Sequence, residues 1–141
     1  MTVSNEGNTG YANANLAPKS VDFVGAFKGA FSKYATFKGR ASRSEFWYFA
    51  LYYFALFIIP IVGASDTTGT FGLIGILAIL ASILPFYSVM VRRLHDTGKS
   101  GWWWWITIIP FGGIVLIVFL SQEGESIDNR YGPAGHELLP S

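Results

Sequence analysis

The chain contains no cysteine, only two histidines and very little charge, and each shortage removes a class of function. Zero cysteines among 141 residues exclude disulfides, thiolate nucleophiles and cysteine metal sites. His95 and His136 fall on opposite predicted sides of the chain, and no clustered acid accompanies either. No metal site and no cofactor are therefore expected. Neither a GxSxG motif nor a Ser-His-Asp order is present. TGKSG at Thr97–Gly101 ends like a phosphate-binding loop, but the glycine such a loop needs five residues before Gly98 is Arg93, and no strand precedes it. His95 beside Asp96 invites an acid/base pair, yet neighbours on a helix point about 100° apart, so no catalytic residue is expected. Charged residues are 13% of the chain, roughly half of what a soluble domain carries. That is too little to coat a water-exposed surface.

What fills the chain instead is hydrocarbon, 51% hydrophobic and 17% aromatic residues, gathered into three blocks rather than spread at helical or strand period. The first, 46–63, is FWYFALYYFALFIIPIVG, and at ~1.5 Å per residue it reaches ~27 Å, near the hydrocarbon thickness of a bilayer. Ser42 and Glu45 before it form an S-x-x-E capping box, each side chain placed to satisfy the other's amide. The second block, 71–91, ends abruptly at Arg92 and Arg93, which are costly at depth in a bilayer. The third, 102–120, opens on Trp102, Trp103, Trp104 and Trp105, and indole prefers the interface. With Trp47, these are the expected interface anchors.

Around the blocks, residues 1–19 are polar and too poor in apolar groups to repay ordering, and they read as a disordered tail; 134–141 reads as a C-terminal tail. The first twenty residues hold no apolar stretch suited to a cleavable signal. From Ser20, a plausible N-cap, Val21, Phe23, Val24, Phe27, Ala30, Phe31 and Tyr34 recur at helical spacing. They predict an amphipathic helix over 20–36, lying on the membrane interface or packed on protein. The expected fold is an all-α membrane protein: a bundle of about three transmembrane helices with an N-terminal interfacial helix, the membrane domain covering 20–133.

Each block holds a proline, Pro60, Pro85 and Pro110, and each frees a carbonyl that a neighbour must satisfy. Pro110 precedes Phe111, Gly112 and Gly113, so the third block is either a kinked span or a re-entrant hairpin. Gly72, Gly75, Ala78 and Ser82 offer small-residue surfaces for helix contact. Within the blocks no Asp, Glu, Lys, Arg or His occurs, which disfavours a proton relay or ion pathway in a single copy.

The net charge of +1 conceals an asymmetry that concerns topology rather than nucleic acid. Lys28 to Arg43, and Arg92, Arg93 and Lys99, share one predicted side, and the positive-inside rule makes that side cytoplasmic. Three spans would then put the N-terminus in the cytoplasm and residues 121–141 outside. Arg40, Arg43, Glu45, Arg92, Arg93, His95, Asp96 and Lys99 are placed to converge there. An arginine fork suits a phosphate, so such a cluster fits anionic lipid headgroups, a phosphorylated ligand or a protein partner. Alternatively Glu45 and Asp96 pair with the arginines and lock the helices. Three spans leave exposed faces, so a homo-oligomer or a larger membrane complex is expected, and the competing function is a subunit of an oligomeric transporter or channel.

FKGRASRSEFWYF at Phe37–Phe49 and RRLHDTGKSGWWWW at Arg92–Trp105, with IPFGGIVLIV and NRYGP, resemble the bacterial membrane proteins grouped as the domain of unknown function 805 family. The similarity covers roughly Phe27 to Pro133, although GESID stands before NRYGP where a turn richer in Gly and Pro is expected. The resemblance implies a bacterial cytoplasmic-membrane protein and implies no reaction.

Overall fold

The computed structural model describes residues 21–65 and 67–133, and the backbone alone of 16–18 and 136–138. The first helix, α1 (Phe23–Ser32), is capped by Asp22, whose Oδ1 accepts from Gly25 N at 2.7 Å. The expected cap, Ser20, lies outside the described residues, and the helix is shorter than 20–36. It is packed on protein. Ala26 and Ala30 are buried while Phe23 and Val24 stay exposed, and Phe27 meets Tyr52 edge to face at 4.9 Å.

Helix α2 (Arg43–Ala55) begins where Ser42 Oγ accepts from Glu45 N at 3.2 Å. Only half of the expected capping box forms, because the Glu45 carboxylate is turned to Arg92 instead. After Ala55 the apolar rod continues as α3 (Ile58–Val62) and a 3-10 turn, Gly63–Ser65. The break has a covalent cause: Pro60 has no N–H for Leu56 O, which accepts from Ile59 N at 3.2 Å.

Helix α4 (Thr70–Asp96) runs 27 residues, about 40 Å at the α-helical rise. It passes five residues beyond the expected 71–91 end, because Arg92 and Arg93 are enclosed by protein rather than left at a waterline. Pro85 lies inside it and frees Ala81 O, and Tyr34 Oη donates to that carbonyl at 2.5 Å. Gly75 provides a close approach: a Cβ there would stand 2.7 Å from Pro60 Cδ. Gly72 faces open space.

The third block corrects the expectation of a third span. It is divided into a 3-10 helix, Gly101–Ile108, and α5 (Gly112–Ser121), each roughly 15 Å long and too short to cross. Phe111 takes a positive φ of 65°, and a Cβ at Gly112 would collide with the Ile106 carbonyl, so the reversal depends on that glycine. The two halves fold back on one another and both ends return to one place, where Lys99 Nζ donates to Gln122 Oε1 at 2.7 Å. The hairpin weighed for Pro110 is the form adopted. Residues 122–131 consequently lie on the face that carries Arg40 and Asp96, which removes the basis for setting the C-terminal tail opposite them.

Two short strands, β1 (Leu16–Pro18) and β2 (His136–Leu138), pair antiparallel with Leu16 opposite Leu138. These strands fall within the segments 1–19 and 134–141 expected as tails; residues 1–15 and the remainder of both segments lie outside the described residues. Otherwise the described fold is helical. Two apolar segments, Arg43–Ser65 and Thr70–Asp96, are long enough to cross a membrane.

The buried core, with Phe49, Ala50, Val89, Met90, Leu94, Leu116 and Leu120, draws on α1, α2, the C-terminal half of α4 and α5. At the other end Ile61, Val62, Phe71 and Leu73 are exposed. A soluble core helix would bury such a surface; here it remains available to acyl chains.

Candidate functional site

The charged residues singled out by sequence converge at the C-terminal end of α4, and most of them are inside. Arg92 and Arg93 are both 0% exposed. A buried guanidinium is tolerable only with partners, and the two solve this differently.

Arg93 is held from several sides, with Ala41 O 3.5 Å from its Nη1. Its Nε donates to Leu120 O at 3.0 Å, its Nη1 to Asp96 Oδ2, and its Nη2 to Gln122 O. Asp96 takes a second guanidinium on its other oxygen, with Arg40 Nε at 2.8 Å. Arg40 also reaches the tail, Nη1 donating to Ile127 O at 2.7 Å and Nη2 to Glu125 O, with Nη2 shared with Asp96 O at 3.4 Å. One carboxylate thus bridges the arginine before α2 and the arginine of α4, and both arginines clasp the chain leaving α5.

Arg92 is simpler. Its Nη1 meets Glu45 Oε1 at 2.8 Å, tying α4 to α2, while Nε and Nη2 have no hydrogen-bond partner among the described residues. Its backbone carbonyl accepts from Ala41 N at 3.0 Å. The cluster therefore holds three guanidiniums against two carboxylates.

His95 and Asp96 do not pair. His95 Nδ1 contacts Gly39 O at 3.1 Å, and the ring stacks on Tyr131 at 3.9 Å, nearly parallel at 3°. Asn129 Nδ2 donates to His95 O at 2.9 Å and to Glu125 Oε2 at 2.7 Å. Lys99, besides Gln122, lies 4.8 Å from the Phe119 ring. Arg43 differs from all of these: it is exposed at the start of α2 and makes no ion pair among the described residues. Lys28, Lys33 and Lys38 are exposed as well.

Sequence reasoning missed the tail as part of this site. Gly124 packs so closely that a Cβ would run into Asp96, and Tyr131 and Asn129 both belong to NRYGP. That string was visible, but its target was hidden as long as the third block was taken to lead away. Among the described residues no group of three His, Cys, Asp or Glu is placed to hold a metal ion.

The tryptophans lie along the hairpin and α2. Trp102 is 74% exposed, while Trp104 is partly buried and stacks on Trp105 at 4.2 Å. Trp47, Trp103 and Trp105 are exposed.

Comparison with known proteins gives a consistent setting. Residues 34–133 match the model of a protein family of unknown function, DUF805. The inner membrane protein YhaH of Escherichia coli K12 is 37% identical over 105 residues, covering 71% of this chain and 87% of the relative. The inner membrane protein YhaI of the same strain is 40% identical over 106 residues, covering 70% and 85%. No solved structure matches the chain.

Proposed function

The chain belongs to the DUF805 family of proteins of unknown function, and on that premise we propose that it is a non-enzymatic module of the bacterial inner membrane that binds anionic lipid on its cationic face. The site divides into two sets of cations. Arg40, Arg92 and Arg93 fasten the helices and tail together, and Lys28, Lys33, Lys38 and Arg43 stay exposed to meet phosphates. A phosphate-rich surface attracts each such residue by about 1 kcal/mol. The observation that carries this reading is the division itself: among the described residues the ion pairs are made by Arg40, Arg92 and Arg93 with Asp96 and Glu45, and none by Lys28, Lys33, Lys38 or Arg43.

By the positive-inside rule this face is cytoplasmic, and with two crossings and a re-entrant hairpin residues 38–42 and 122–131 lie there. Asp96 is engaged by two arginines and His95 by a carbonyl and a ring, which favours a structural role for the pair over proton transfer.

The test is selective binding. Full-length protein in vesicles of phosphatidylglycerol and phosphatidylethanolamine should enrich phosphatidylglycerol around itself. Changing Lys28, Lys33, Lys38 and Arg43 together to Gln should abolish the enrichment without unfolding the protein, and enrichment that survives the change would overturn the reading.

An oligomeric transporter or channel subunit is the second reading. It is favoured by the broken rod at Leu56–Phe57 and by the re-entrant hairpin, since interrupted helices line substrate paths in membrane carriers. Solute flux that requires the reconstituted protein would support it.

A further inference from the structure

Between α2, α4 and the hairpin runs a groove of about 310 Å³, at the small end of the size range for ligand pockets. Trp47 and Phe54 form one wall, Phe86 and Tyr87 the floor, and Trp104 and Gly113 the other wall. The lining is almost wholly hydrocarbon and aromatic. It lies on the membrane-embedded part of the chain, so its occupant is drawn from the bilayer.

Two features distinguish this groove from the rest of the lipid-facing surface. The first is at its head. Arg43 precedes Trp47 by four residues on α2, so the two share a helix face, and Arg43 is exposed and makes no ion pair among the described residues. A guanidinium fork one turn above an apolar slot matches a phosphate esterified to an acyl chain. The second is at its wall. A Cβ built on Gly113 meets no atom within 4 Å, whereas one on the adjacent Gly112 strikes the Ile106 carbonyl. Gly112 makes the turn, and Gly113 leaves room.

We propose that this groove holds one acyl chain of an anionic phospholipid whose phosphate is bound by Arg43. The proposal rests on the lipid-binding reading above and gives it a defined site. The lipid fills the seam between the hairpin and α2, so that the hairpin is held at its base by the arginine cluster and along its length by the bound chain.

The test uses full-length protein exchanged into mixed phosphatidylglycerol and phosphatidylethanolamine and read by native mass spectrometry. Wild type should retain phosphatidylglycerol several-fold over phosphatidylethanolamine. Arg43→Gln should bring retention of the two lipids to parity. Gly113→Leu fills open space, and should lower retention of both lipids while the thermal midpoint is kept. Wild type with phosphatidylglycerol carrying a photoactivatable group in its acyl chain provides a check that needs no variant, with cross-links expected at 47–54 and 104–117. Cross-links spread evenly along 71–80 would overturn the site. If wild type shows no preference for phosphatidylglycerol, the parent reading fails with it. If the preference persists in Arg43→Gln and Gly113→Leu but is lost when Lys28, Lys33 and Lys38 become Gln, the groove is wrong and the cationic face stands.

Discussion

The two ends of this molecule are built on opposite principles. At one end buried cations are matched to specific acceptors: Asp96 to Arg40 and Arg93, Glu45 to Arg92, and the carbonyls of residues 120–127 to further donors of Arg40 and Arg93, while Nε and Nη2 of Arg92 stay unpaired among the described residues. At the other, Ile61, Val62, Phe71 and Leu73 are exposed, and α3 meets α4 through the seam of Pro60 and Gly75. The contrast teaches where folding information resides. The polar end specifies geometry by satisfying buried charge, which tolerates few arrangements, while the apolar end leaves its outer surface to the solvent of the bilayer.

Substitutions at the two ends should therefore differ sharply. Asp96→Ala strands two guanidiniums, and breaking a buried pair costs about 3–5 kcal/mol. Ile61→Ala, on the exposed apolar face, should change stability by no more than about 0.5 kcal/mol. Thermal unfolding in one mild detergent compares them directly, and equal effects would break the contrast.

The hairpin tip sharpens it with neighbouring glycines. Gly112→Ala forces a methyl against the Ile106 carbonyl and should cost about 1–3 kcal/mol, as overpacking does. Gly113→Ala enters open space and should be neutral in the same assay.

A smaller effect is expected at Pro85, where the polar strategy reaches into the apolar helix. Tyr34→Phe removes the donor to Ala81 O and should destabilise by about 1 kcal/mol. In a Pro85→Ala background the restored N–H can reclaim that carbonyl, so the same change should cost close to nothing. An undiminished effect would show that the tyrosine acts through some other contact.

Much of the apolar half was legible in sequence, because length and absence of charge are all a crossing segment requires. The blocks 46–63 and 71–91, the break ahead of Pro60 and the Ser42 cap follow from local rules. The polar half was legible in membership and hidden in arrangement. Arg40, Glu45, Arg92, Arg93, His95 and Asp96 do converge, yet nothing local indicates that Arg92 and Arg93 are enclosed, since enclosure depends on loops distant in sequence.

The third block illustrates the limit. Its composition is that of a span, and only Pro110, Gly112 and Gly113 hint at reversal. What decides the matter is at its ends, where Arg93 bonds to Leu120 and Gln122. The β1–β2 pairing, which sets residues 16–18 beside 136–138, had no hydrophobic pattern to announce it.

The central claim is that the third block turns back, bringing residues 122–131 to the arginine face. The absence of native cysteine permits a direct measurement: single substitutions Lys38→Cys, Thr67→Cys and Ser126→Cys, labelled in oriented membranes with a membrane-impermeant maleimide. Positions 38 and 126 should react from one side of the bilayer and position 67 from the other. Labelling of position 126 from the side that labels position 67 would mean that the block crosses, and would contradict the account.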